Sequence, residues 1–119
     1  MEIKILEEKF TVAKYKEMPK DLKGIYFTAV TDEEVSVLCQ TEFLPEGEIS
    51  KEGEMKGFRI AGELDFSLIG IISRITSILA DNDVSVFVVS TFNTDYIFVR
   101  EENLPVATQL LQASGYDII

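Results

Sequence analysis

The spacing of apolar residues changes period about half-way along the chain. Ile3, Ile5, Leu6, Phe10, Val12, Ala13 and Tyr15 alternate unevenly, which predicts one long or bulged strand over 3–15. Met18-Pro19 to Gly24 breaks it, with room for at most a short helical turn. Ile25–Val30 and Val35–Cys39 are rich in β-branched and aromatic residues and flank the polar turn Thr31-Asp32-Glu33-Glu34, a hairpin pattern. Leu44-Pro45-Glu46-Gly47 and the charged run up to Lys56 read as a surface connection, with Glu46–Lys56 as the boundary between two parts of the chain.

After that boundary a short strand is expected over Gly57–Gly62. Apolar residues at 68, 71, 72, 75, 78 and 79 then fall on one face of a helix over Leu68–Ala80. Asp65 or Ser67 is placed to cap its first turn, and Asp81-Asn82-Asp83 to end it. Val84–Val89 is almost wholly apolar and predicts a well-covered strand. Ser90–Asp95 is a polar bend, and Tyr96–Val99 a returning strand. Asn103 and Pro105 open a second helix with Leu104, Ala107, Leu110 and Leu111 on its core face, Gly115 stops it, and Tyr116–Ile119 makes an edge strand. The order β-α-β-β-α-β is the ferredoxin-like pattern, so the fold class is α+β. Both helices then cover one sheet face, and the other is left for a second copy or subunit.

Composition narrows what such a fold can do. The chain has 119 residues, a formal charge of −10, no histidine and one cysteine. An excess of ten carboxylates disfavours nucleic acid as a partner, because binding needs cations that displace condensed counterions. Without histidine there is no Ser-His or Cys-His couple and no imidazole ligand for zinc. Lone Cys39 excludes an internal disulfide and reads as a small buried hydrophobe in a reducing compartment. No apolar run approaches the length of a membrane span or a signal-peptide core, so a cytoplasmic protein without membrane contact is expected. Residues 1–59 carry 13 acidic and 9 basic side chains and residues 60–119 carry 8 and 2, so the two halves differ in surface chemistry. Asp81 and Asp83 lack further oxygen ligands at a set spacing and read as a helix-ending loop, so neither a metal nor a cofactor is expected.

Two segments carry a family resemblance. Gly62-Glu63-Leu64-Asp65-Phe66-Ser67-Leu68-Ile69-Gly70-Ile71-Ile72, and then Val84 through Val99, resemble the ACT domain, and are most similar to the small tandem-ACT proteins related to the cytosolic arginine sensors of animals. The hairpin with Thr31-Asp32-Glu33-Glu34-Val35-Ser36-Val37-Leu38-Cys39 resembles the same family less specifically. The resemblance implies two ferredoxin-like, ACT-like units packed side by side: a degenerate one over 1–55 with little helix, and an ACT domain over 56–119. It also implies a regulatory, amino-acid-binding protein, not an enzyme, with the ligand held between ACT-like units within a chain or across a homodimer.

The residues themselves admit this chemistry without requiring it. The strand-to-helix loop holds Asp65, Ser67, Leu68, Ile69 and Gly70. Backbone N–H groups at a helix start suit a carboxylate, while capping and glycine packing explain the same residues. Ser90-Thr91-Phe92-Asn93-Thr94-Asp95 is ordinary turn chemistry, yet Asp95 offers a carboxylate to an ammonium or guanidinium. The resemblance favours binding, since the equivalent segment borders the ligand cleft in the arginine-sensing relatives, and so Thr91, Phe92, Asn93, Thr94 and Asp95 join the candidates. Met18–Gly24 lacks the Asp-Phe-Ser-Leu-Ile-Gly pattern, which leaves one half-site per chain.

Arg59 and Arg74 read as surface charges, and Phe87, Phe92, Tyr96 and Phe98 as packing aromatics. The rival reading is a ligand-free dimerisation module that docks on a protein partner. An acylphosphatase-type enzyme using Arg59 and Asn93 rests on fold analogy alone, and no phosphate-cradling loop surrounds either residue. An RNA-recognition module shares the strand order but needs a basic-aromatic strand pair, which the chain lacks.

Overall fold

The computed structural model describes residues 1–61 and 70–119. Its strands are β1 (Glu2–Tyr15), β2 (Tyr26–Val30), β3 (Val35–Gln40), β4 (Ser50–Ile60), β5 (Phe87–Ser90), β6 (Asp95–Arg100) and β7 (Asp117–Ile118), with helices α1 (Ile71–Ala80) and α2 (Leu104–Ala113). This is an α+β fold with a seven-stranded sheet and two helices. The chain forms two compact units, Met1–Glu7 with Lys56–Ile119, and Glu8–Met55; β1 and β4 each contribute to both.

In the first unit the strand order is β7-β1-β4-β6-β5. The start of the chain is an inserted strand: Glu2 and Ile3 run parallel to Asp117 and Ile118. The Ile119 amide donates to the Ile3 carbonyl at 2.8 Å, and the Ala61 amide to that of Glu2 at 3.0 Å. The helix-facing core joins Ile3, Phe58, Ile60, Ile97 and Val99 of the sheet to Ile71, Ile75 and Leu79 of α1 and Ala107 and Leu111 of α2. Helix α1 is rich in β-branched residues of modest helix propensity, so burial of this i, i+4 stripe holds it in place.

The left-handed Gly70 (φ 77°) precedes α1 as its N-cap, and among the described residues no side chain caps the helix. Leu68 and Ile69, expected as its first residues, and Asp65 and Ser67, expected as its caps, lie outside the described residues. At the other end the Asn82 side-chain amide donates to the Ile78 carbonyl at 2.9 Å, a closure consistent with the expected stop. Helix α2 begins after Asn103, with Pro105 in its first turn as predicted, but the Asn103 side chain makes no capping bond.

The second unit has the order β2-β3-β1-β4 and no α-helix, only a 3-10 turn at Thr41–Phe43. Cross-strand pairs Thr11↔Cys39, Ala13↔Val37 and Tyr15↔Val35 set its register. Ala13, Tyr15, Val37 and Cys39 form its core, with Leu22 and Leu44 of the two long connections packed on it. Specific bonds pin those connections. Gln40 Oε1 accepts from the Ile25 amide at 2.7 Å, and the Tyr15 hydroxyl donates to the Pro45 carbonyl at 2.6 Å. Gly24 suits this place: it takes a left-handed conformation (φ 66°), and a Cβ there would press on the Gln40 side chain that accepts from Ile25.

Two expectations are corrected. The charged run before Lys56 is not a connection throughout, because β4 starts at Ser50. Residues 50–54 are all exposed, so no apolar alternation marks them, and hydrogen bonding to β1 makes the strand. Val84–Val89 is not a covered strand: β5 spans Phe87–Ser90 at the end of the strand order, with Val86, Phe87 and Val88 exposed. Apolar content alone does not distinguish a central strand from an edge strand that presents a sticky surface.

Leu79→Ala should destabilise the protein by about 2–5 kcal/mol, read as a lower urea midpoint at unchanged slope, because it empties a fully enclosed site. Burial first, then the negative charges of ionised Cys39 and Glu48, pushes the Tyr15 phenol up to about 12 from 10.0. The unfolded chain thus loses this proton before the folded one does. Stability from Tyr15 is fully present below pH 10 and falls as pH rises from 10 to 12. Tyrosinate absorbance should show this phenol titrating late, and Tyr15→Phe should remove that late step.

Candidate functional site

The Ser90–Asp95 segment is a hairpin turn with a dense set of its own bonds. Ser90 and Asp95 pair across the strands, and the Ser90 hydroxyl donates to Asp95 Oδ1 at 2.5 Å. The Thr91 amide and hydroxyl both donate to the Thr94 carbonyl, at 2.8 and 3.0 Å, and the Thr94 amide returns a bond to Thr91 Oγ1 at 3.3 Å. The Thr94 hydroxyl, 6% exposed, donates to the Ile60 carbonyl at 3.1 Å. That bond ties the turn to the last residue of β4, just before residues 62–69. Phe92 stands 77% exposed at the tip beside exposed Asn93, and Asp95 is half-buried.

Of the candidates, then, Thr91, Phe92, Asn93, Thr94 and Asp95 form one structured turn. Thr94 already serves the fold, while Asp95 presents a carboxylate oriented by Ser90. Gly70 is exposed at the start of α1. Asp65, Ser67, Leu68 and Ile69 lie outside the described residues.

Arg74 gains significance from its position. Its Nη1 lies 3.2 Å from the point a Cβ on Gly70 would occupy, so the guanidinium folds back over the start of α1. No acidic residue occupies the first turn of that helix. A guanidinium at the positive end of a helix is an arrangement in which a carboxylate would be favourable. The signal in the sequence was the i, i+4 spacing from Gly70 to Arg74, which an isolated surface arginine shares.

Other weighed residues have structural places. Arg59 lies over the Tyr96 ring at 5.9 Å from its centroid, a cation–π contact. Cys39 is fully buried and burial pushes its thiol up, as a packing cysteine requires. Among the described residues no acidic or sulfur cluster is arranged to hold a metal ion, and no helix is long and apolar enough to cross a membrane.

The two hairpin turns share one design. At Thr31–Glu34 the Thr31 amide donates to the Glu34 carbonyl at 2.9 Å, and the Glu34 amide donates to Thr31 Oγ1 at 3.1 Å. A 3-10 turn follows β3 at Thr41–Phe43, and another follows β6 at Glu101–Asn103.

A family model described as ACT domain matches residues 51–113. The chain belongs to the ACT-domain family. Solved structures extend the likeness to nearly the whole length. A protein from Agobacterium tumefaciens superposes with a TM-score of 0.89 at 28% identity, covering 99% of this chain and 91% of that one. A Vibrio cholerae protein of unknown function gives 0.78 at 17%, covering 94% and 88%. A structure of aspartokinase α and β subunits gives 0.65 at 12%, covering 96% and 97%, a likeness of fold alone. ACT domains are generally regulatory modules, and the matched range contains both Gly70–Arg74 and Ser90–Asp95.

Thr94→Val should cost about 1–3 kcal/mol in urea unfolding, since it leaves the Ile60 carbonyl without that donor. Phe92→Ser, at the exposed tip, should change stability by less than about 0.5 kcal/mol.

Proposed function

We propose that this ACT-family chain is a cytoplasmic regulatory protein, not an enzyme, that binds a free amino acid. The carrying observation is that one ACT unit presents recognition groups of opposite sign. Arg74 beside Gly70 suits a carboxylate, and Asp95 in its serine-braced turn suits an ammonium or guanidinium. Charge-assisted bonds of these two kinds select an α-amino acid over a simple anion or amine. Asp65, Ser67, Leu68 and Ile69 are assigned to the carboxylate side, and Thr91, Phe92 and Asn93 to the side-chain end.

The matching turns and the repeated strand order support reading 1–55 as a degenerate ACT-like unit beside an ACT domain over 56–119. With one half-site per chain, the ligand is held between ACT-like units of a homodimer. The exposed apolar side chains of β5 and Phe92 support such an assembly. The same surface favours a second reading, a ligand-free dimerisation module that docks on a protein partner. In the binding model the ligand bridges units and shifts an equilibrium between arrangements.

Isothermal titration of the full chain against the twenty amino acids should give saturable heat with at least one of them. A rise in melting temperature should accompany it, on the order of 2.7 kcal/mol of stabilisation at a hundredfold excess over Kd. Asp95→Asn and Arg74→Gln should each weaken binding about tenfold or more, the loss of a charge-assisted bond. No heat and no melting shift with any amino acid, with a dimer that persists in Asp95→Ala, would establish the module reading instead.

A further inference from the structure

The Glu8–Met55 unit ends in an unprotected strand. β2 stands at the end of the strand order and pairs only with β3 among the described residues. Sheet edges are ordinarily blunted by a charge, a proline, a bulge or a cover. Tyr26–Val30 contains neither charge nor proline, and its unbroken register with β3, from Tyr26↔Cys39 to Val30↔Val35, leaves no bulge. Nor is it covered. Tyr26, Thr28 and Val30 share a sheet face with their direct partners Cys39, Val37 and Val35. Val37 and Cys39 are fully buried in the core on which Leu22 and Leu44 pack, yet Tyr26 is 45% and Val30 66% exposed.

The turn after β2 fixes where its backbone groups point. The Thr31 amide donates to the Glu34 carbonyl at 2.9 Å, so the polar groups of Thr31 face β3. Alternation turns those of Phe27 and Ala29 the same way, and those of Tyr26, Thr28 and Val30 outward. Such a row accepts a further strand.

Charge selects which strand. Lys20 and Lys23 precede β2, Asp32, Glu33 and Glu34 follow it, and all five are exposed. Lys23 and Glu33 are equally distant from Thr28 along the chain. An antiparallel copy of β2 centred on Thr28 therefore sets a basic end beside an acidic end, and the two-fold axis makes the match twice. A parallel copy would set like charges together. The antiparallel register also brings outward groups opposite outward groups: Thr28 meets Thr28, and Tyr26 meets Val30 in an aromatic–β-branched pair.

We propose that β2 is a self-association edge, through which two copies of this chain join by antiparallel pairing of Tyr26–Val30 about Thr28. Lys20 and Lys23 of each copy then lie beside Asp32–Glu34 of the other. This goes beyond the amino-acid reading, whose half-site lies in the other unit, and it needs no ligand.

The test is sedimentation equilibrium of the full chain at low salt, over a range of protein concentrations and without amino acids. The mass should rise with concentration from one chain toward two and no further. Lys23→Glu and Glu33→Lys should each weaken the dimer about tenfold, since each places like charges together on both sides of the axis. General repulsion between acidic chains predicts the opposite for Glu33→Lys, which lowers the net negative charge. An equimolar mixture of the two variants should recover the dimer, as should both changes in one chain. Thr28→Pro removes an outward N–H that β3 does not use, so it should abolish the dimer with an unchanged far-UV circular dichroism spectrum. Asp95→Asn should leave the mass unchanged, so failure of the amino-acid site and failure of this contact are separable. A monomer at every concentration, growth beyond two chains, single reversals without effect, or a mixture that fails to recover the dimer would each overturn the proposal.

Discussion

The structure depends on a pairing between the two ends of the chain. Residues 1–3 and 117–119 lie side by side, and the Asp117 amide donates to the Met1 carbonyl at 3.1 Å as the Ile119 amide does to Ile3 at 2.8 Å. The pair closes only if α2 has brought the chain back across the sheet. It also places Ile3, fully buried, in the same core as Ile75, Leu79 and Leu111. Such a contact carries a large loop-closure cost, so burial of that core must offset it before the sheet edge forms. The first seven residues thereby belong with the second half of the sequence.

The same economy of backbone bonds shapes the candidate site. A threonine opens each hairpin turn and satisfies backbone groups that strand pairing leaves over, so each turn is rigid without glycine or proline at its tip. Ser90 and Thr94 hold the turn, with Phe92 and Asn93 exposed at its tip and Asp95 half-buried. At α1 the left-handed Gly70 forgoes a side-chain cap, and Arg74 adds a positive charge to the positive end of the helix.

Legibility followed how local each signal is. Both helices could be read, because a 3.6-residue stripe is a property of ten consecutive residues and matches the faces formed by Ile71, Ile75 and Leu79 and by Ala107 and Leu111. The Ser90–Asp95 turn was equally plain. Residues 50–54 of β4 were not, since their polar side chains carry no alternation and only β1 recruits them into the sheet. The exposure of β5 was hidden for the opposite reason: its residues are apolar enough for a central strand. Arg74 read only as a surface charge, because its position depends on an N-cap conformation that the sequence does not reveal.

By itself the sequence determined the α+β class, the two helices and their buried faces, the polar turn, the ACT resemblance, and the improbability of imidazole or disulfide chemistry. These follow from composition and short-range periodicity, which fold and solvent cannot alter. Tertiary structure alone decided which strands are neighbours, which apolar residues meet solvent, and which polar groups are left with an unused bond. Those are outcomes of packing, where a residue's role depends on its partners as much as on its own chemistry.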